Sequence, residues 1–119
     1  MNEQIHYYEN KLKFEINSEN LYQALSQKQN VVPIDTRPQD AYGARHLPGA
    51  LNIPHGEMNS QTTKDLDKNS LYVTYCDGMG SNDATRGALN MANLGFQVKE
   101  LIGGIDRWVQ GGYATENKR

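Results

Sequence analysis

The one residue whose type and setting together suggest chemistry is Cys76, the single cysteine in 119 residues. It follows directly on the apolar run 71–75 (LYVTY) and opens the segment CDGMGSN. Gly78 and Gly80 let the backbone curl there, so that successive N–H groups can aim into one concavity. The residues from about 82 to 93 read as a helix, whose unpaired N–H groups and positive dipole end would face the same point. Such a cradle stabilises a thiolate, a persulfide or a bound oxyanion, and it would make Cys76 nucleophilic near neutral pH. A lone cysteine more often simply packs. Its place after a strand, before a glycine-rich turn and at a helix entrance argues for reactivity instead. One cysteine also excludes an internal disulfide and any metal site built from several thiolates.

The other polar residues have quieter readings. Asp35 and Arg37 follow the run VVPID at 31–35. They would fix loops near the same sheet edge by charge-assisted hydrogen bonds. His46 precedes Leu-Pro-Gly, where a turn-stabilising hydrogen bond is expected rather than a general base. Arg86, one turn into the helix behind the cysteine, could return positive charge toward an anionic substrate. His6 and His55 have no histidine or carboxylate at a metal-ligand spacing, so no metal site is expected. Ile105, Trp108 and Val109, at helical spacing, are expected to be core.

These residues need a scaffold, and the hydrophobic pattern predicts one. Residues 11–16 alternate, with Leu12, Phe14 and Ile16 on one side, which predicts a half-buried strand. Ser18 can cap a short helix through Leu25. Residues 31–35 read as a buried strand, although Pro33 cannot donate to a ladder and usually marks an edge or bulge. Pro38 suits the first position of a helix through Tyr42. A turn at 46–49 leads to a short strand at 50–53. The clearest strand is 71–75, followed by the helix from about 82, a strand at 96–102, a Gly103-Gly104 turn and a last short helix. Strands alternating with helices predict a parallel α/β sheet covered on both faces. The expectation is one domain over 1–119, with its core at about 12–112 and flexible ends.

Composition narrows the function classes. Twelve basic against fourteen acidic residues give a net charge of −2, so no basic field recruits nucleic acid or anionic lipid. The apolar runs are too short to span a bilayer. The opening MNEQIHYYENK lacks the apolar core of a secretion signal, which points to a cytoplasmic protein.

Four segments in order carry a more specific signal: Ile34-Asp35-Thr36-Arg37, YGARHLPGA at 42–50, Tyr75-Cys76 with its loop, and LIGGIDRW at 101–108. On these the chain resembles the rhodanese-like domain family from about residue 18 to residue 112. The resemblance implies a five-stranded parallel sheet flanked by helices on both faces. It also implies sulfurtransferase activity, moving a sulfane sulfur from a donor to a thiol or cyanide through a persulfide on Cys76, without a cofactor. The substrate loop carries over to Asp77, Gly78, Met79, Gly80 and Ser81, with Asn82 and Arg86 at its helix side.

Many members have arginine or lysine just after the cysteine and a second arginine near the loop's end; here those places hold Asp77 and Ser81. The loop instead fits the pattern Cys-x-Gly-x-x-x-Asn-x-Ala through Cys76, Gly78, Asn82 and Ala84. Asp77 would oppose a thiolate and repel a dianion such as thiosulfate, which favours a neutral or protein-bound persulfide donor. With no cation between Cys76 and Arg86, backbone N–H groups from about Gly78 to Asn82 are expected to ring the sulfur. A lone thiol per chain also makes a transient protein partner credible. Phosphatases of a related fold place an arginine after a cysteine and five further residues; that position is Asn82. The other alternative is a binding or regulatory module without turnover, which amides turned away from the sulfur, or a sulfur buried beneath the helix and sealed from solvent, would favour.

Overall fold

A computed structural model describes residues 1–118 of the chain. Its elements are α1 (Asn2–Phe14), β1 (Glu15–Ile16), α2 (Ser18–Ser26), β2 (Val31–Asp35), α3 (Gln39–Ala44), β3 (Leu51–Asn52), a 3₁₀ turn (His55–Glu57), β4 (Leu71–Tyr75), α4 (Asp83–Asn93), β5 (Gln97–Leu101) and α5 (Gly104–Gln110). The five strands form one sheet in the order β1-β5-β4-β2-β3, every pair parallel. Parallel neighbours need crossover connections, and helices supply most of them.

Side chains alternate across β4, which lies at the centre of the sheet. Val73 and Tyr75 join Leu21, Tyr42, Leu47, Leu101, Ile105 and Trp108 on the side of α2, α3 and α5. Tyr72 joins Ile34, Ile53, Met58, Met91 and Phe96 under α4. Thr74, on the α4 side, satisfies its buried hydroxyl by donating to the Ala84 carbonyl at 2.9 Å. Both faces are therefore covered, and the buried side chains run from Ser18 to Trp108.

Pro33 sits inside β2 because of a register that needs no donor from it. Leu71 N donates to Asn30 O and Thr36 N to Tyr75 O, so even-numbered residues of β2 face β4. Pro33 faces the opposite edge, where β3 pairs only with Ile34 and Asp35.

Three local expectations need correction. Residues 11–14 are helical, and β1 is confined to Glu15–Ile16. The alternation there misled because it was not a burial pattern: Leu12 is 83% exposed. Lysines and leucine favour helix, and Lys11 closes an i,i+4 pair with Glu15 at 2.9 Å. The cap of α2 is Asn17, whose Oδ1 accepts from Asn20 N at 2.8 Å, so Ser18 falls inside the helix. Val109 lies on the outer side of α5, 37% exposed, while Ile105 and Trp108 are core.

Candidate active site

Cys76 is the first residue beyond β4, at the carboxyl edge of the sheet where parallel folds bind ligands. Its backbone is gripped from the opposite side of the chain's sequence. Ile105 N donates to Cys76 O at 3.0 Å and Asp106 N donates to Asp77 O at 2.8 Å. The start of α5 thus uses its otherwise unpaired amides to hold two successive carbonyls. A trans peptide points its N–H opposite to its C=O, so the N–H groups of Asp77 and Gly78 are turned away from α5.

Gly104 makes this approach possible. It has φ +58°, and a Cβ there would lie 2.4 Å from Cys76 O and 2.8 Å from Asp77 O. Gly104→Ala combines left-handed backbone with a clash against main chain that cannot swing aside. We expect it to cost about 2–4 kcal/mol in urea unfolding and to slow any reaction at Cys76 disproportionately. A stability change below about 0.5 kcal/mol would mean that the clamp relaxes freely.

The sulfur's surroundings differ from the expected ring of amides. Cys76 is 4% exposed, and its Sγ lies 3.6 Å from Ser81 O and 3.8 Å from Gly78 O. Both neighbours are carbonyl acceptors, where amide donors were expected. The cause is a tight turn: Ser81 N donates to Gly78 O at 3.3 Å, so that amide is spent inside the loop. Ser81 Oγ accepts from Asp83 N at 3.2 Å, while Asn82, at the helix cap, makes no side-chain capping bond. Met79 is 84% exposed at the tip. Gly80 has open space around it, whereas Gly78 is pressed against the Asp106 carboxylate, whose Oδ2 lies 2.8 Å from where a Cβ would be.

Behind the loop lies a buried polar knot. Asp35, fully buried, accepts from Arg37 Nε at 3.0 Å and Nη2 at 2.8 Å, from Arg37 N at 3.0 Å and from the Tyr75 hydroxyl at 2.9 Å. Leu47 N donates to the same hydroxyl at 3.1 Å. Burial and the neighbouring Asp35 charge both push the Tyr75 phenol far up, so it stays a neutral donor. Burial alone would lower the Arg37 guanidinium, but the hydrogen bonds and charge of Asp35 outweigh it and hold it fully charged. Arg37 also donates to the carbonyls of Ala41 and Arg45, tying β2 to α3.

Arg37 reaches one group more, Asp77, through Nη1 at 3.3 Å. The carboxylate next to Cys76 is therefore not an uncompensated charge, a pairing that sequence spacing did not reveal. Arg86 is exposed and bonds Asn82 Oδ1 through Nε at 3.1 Å, at the helix side of the loop. His46 is buried, its Nδ1 donates to Tyr42 O at 2.7 Å, and its ring stacks on Tyr42 at 3.9 Å. His55, which sequence spacing left without a carboxylate partner, lies 3.3 Å from Asp83. Among the described residues no three His, Cys, Asp or Glu side chains gather as metal ligands. Among them, too, no helix is long and apolar enough to cross a membrane.

Gly104 and Asp106, which the sequence places only in a turn and in the segment LIGGIDRW, pack directly against the loop. Both lie inside LIGGIDRW, where paired glycines before an acidic residue were the available signal.

A five-stranded parallel sheet that offers one cysteine from its central strand, in a short turn braced by a later helix, defines an α/β domain with a thiol-bearing loop. The chain belongs to the rhodanese-like domain family, whose model matches residues 18–111. It is 31% identical over 86 residues to the thiosulfate sulfurtransferase GlpE of Coxiella burnetii, covering 71% of this chain and 77% of that one. An HTH-type transcriptional regulator of Mycobacterium tuberculosis, Rv0324, is 37% identical over 84 residues, 66% of this chain and 34% of the regulator. The chain thus spans about a third of that relative's length. The crystal structure of the BH2092 protein from Bacillus halodurans superimposes with a TM-score of 0.92 at 37% identity, covering 98% of this chain and 86% of that one.

Proposed function

We propose that the protein is a sulfurtransferase in which Cys76 carries a sulfane sulfur. The thiolate attacks the outer sulfur of a donor; the donor's S–S bond breaks, its inner sulfur leaves with the electron pair, and a persulfide forms on Cys76. An acceptor thiolate then attacks the terminal sulfur, taking it as a new persulfide and restoring the Cys76 thiolate. No electron enters or leaves overall, so no cofactor is required. The observation that carries this reading is the clamp of α5 on the Cys76 and Asp77 carbonyls, which holds one thiol at the edge where this fold binds ligands. The similarity to a protein named thiosulfate sulfurtransferase supports it.

In this reading residues 77–82 are the substrate loop, with Arg86 beside it, while Asp35, Arg37 and His46 hold its base. The whole chain acts as one domain in the cytoplasm, handing sulfur to a small thiol or to a transiently bound protein thiol. Loading requires the turn at 78–81 to swing its amides toward the persulfide, a motion that Gly78 and Gly80 permit.

The sulfur, lined by carbonyls and only 4% exposed where a shallow open bowl was expected, favours a second reading, a module that binds without turnover. Exposure to a low-molecular-weight persulfide and to thiosulfate, followed by intact-mass and peptide analysis, separates the two. One added sulfur atom on the Cys76 peptide, removed by cyanide, supports the transferase; an unmodified thiol after both donors supports the module.

The Arg37 pairing sets the size of the Asp77 effect. Asp77→Asn removes a negative charge at the loop mouth and leaves Arg37 Nη1 free to face an anion. Asp77 is 68% exposed though the Arg37 side chain is only 8% exposed; with solvent screening one side of the pair, about 0.2–1 kcal/mol is at stake, so thiosulfate turnover is expected to rise about 1.4- to fivefold, with turnover of a neutral persulfide donor unchanged. Equal rates with thiosulfate for both proteins would show that Asp77 does not select the donor.

A further inference from the structure

α1 is an element the sulfur chemistry does not use, and none of its residues is buried. Its apolar residues fall on two sides, and those toward the sheet are themselves half-exposed, Tyr7 at 59% and Phe14 at 49%. Tyr7, Asn10, Lys11 and Phe14 line a groove against α4 and β5. Met1, Ile5, Tyr8 and Leu12 are outside that lining and are 92%, 49%, 54% and 83% exposed. Their spacing is 4, 3 and 4 residues, the alternation of a heptad seam, which keeps apolar side chains on one line along a helix. Isolated exposed apolar residues are ordinary on a protein surface, but Ile5, Tyr8 and Leu12 of α1 make a line at seam spacing that Met1, at the helix cap, extends.

We propose that this face joins two copies of the chain, their α1 helices packing antiparallel about a twofold axis. The seam is self-complementary in that direction: Met1 meets the second copy's Leu12, and Ile5 meets the second copy's Tyr8. Each layer then sets one seam position of the first kind against one of the second. The same alignment puts Glu9 opposite Asn2 and Lys11 opposite Gln4, so no like charges meet across the seam. It also lays the end bearing Glu3 beside the second copy's basic last turn, Lys11 and Lys13, with the helix dipoles opposed. Parallel packing would instead bring both pairs of lysines together. A contact of one short helix from each copy is small for an interface, so association in the range of about 1–100 µM is expected.

Sedimentation velocity on the full chain from about 1 to about 500 µM tests this. The sedimenting mass is expected to double across that range. The double variant Ile5→Glu, Leu12→Glu should stay monomeric throughout with its melting temperature only slightly lowered, because Leu12 is 83% exposed and no residue of α1 is fully buried in the monomer. A wild-type monomer at every concentration overturns the proposal, as does a dimer that survives the double variant. Direction is read by oxidative cross-linking in a Cys76→Ser background. Chains with Ile5→Cys should cross-link to chains with Tyr8→Cys far faster than either links to itself. Faster self-linking of Ile5→Cys would overturn the antiparallel arrangement.

Discussion

Cys76→Ala is expected to abolish sulfur transfer while leaving the fold in place. No other thiol exists in the chain, and a covalent relay without its nucleophile has no substitute route; the loss should be at least about a thousandfold. Cys76→Ser should do no better, since an oxygen cannot hold a sulfane sulfur. The structural cost is small because the sulfur's polar contacts, at 3.6 and 3.8 Å, are weak. Removing one buried sulfur atom should cost about 1 kcal/mol. Serine can even donate to the same two carbonyls. Steady-state transfer to cyanide measures the first effect and urea unfolding the second. Transfer retained by Cys76→Ala would end the assignment of this residue, and loss of folding would mean that the thiol is a core residue after all.

The strands that position this cysteine were legible because they are buried on both sides and say so in sequence: VVPID and LYVTY are short, continuous apolar runs. The loop's location was legible for the same reason, since a cysteine directly after such a run has to emerge at the carboxyl edge. Polarity inside the loop was not legible. Whether amides or carbonyls face the sulfur depends on peptide orientation at 78–81, and two glycines in that stretch permit either. The clamp from Gly104, Ile105 and Asp106 was hidden for another reason: it joins residues about thirty positions apart through main-chain atoms, which carry no side-chain signature. The first helix failed on a different principle. Alternation at 11–16 predicts a half-buried strand, yet Leu12 is 83% exposed and none of the helix's residues is buried, so the apolar positions there carry no burial pattern.

Asp35 is where the fold and the site depend on one side chain most heavily, and Asp35→Ala should be the most destabilising single substitution outside the apolar core. The carboxylate is fully buried and takes four hydrogen bonds from Arg37 and Tyr75. Deleting it leaves a guanidinium whose side chain is only 8% exposed without its main counter-charge. It also leaves the Tyr75 hydroxyl without an acceptor beneath the first residue of the loop. Breaking a buried pair from one side typically costs about 3–5 kcal/mol, because the surviving charge keeps its desolvation penalty. Asp35→Asn keeps the shape and one acceptor oxygen, so it should lose about half as much. Asp35→Ala combined with Arg37→Met should recover stability relative to Asp35→Ala alone, since the stranded charge is then gone. Urea unfolding at constant m-value reads all three. The double variant should still transfer sulfur poorly even where it is folded, because Arg37 also ties Asp77 and the Ala41 and Arg45 carbonyls to the same point. Equal stability of Asp35→Ala and the double variant would mean that water reaches Arg37 when its partner is removed, and that the knot positions the loop by shape alone.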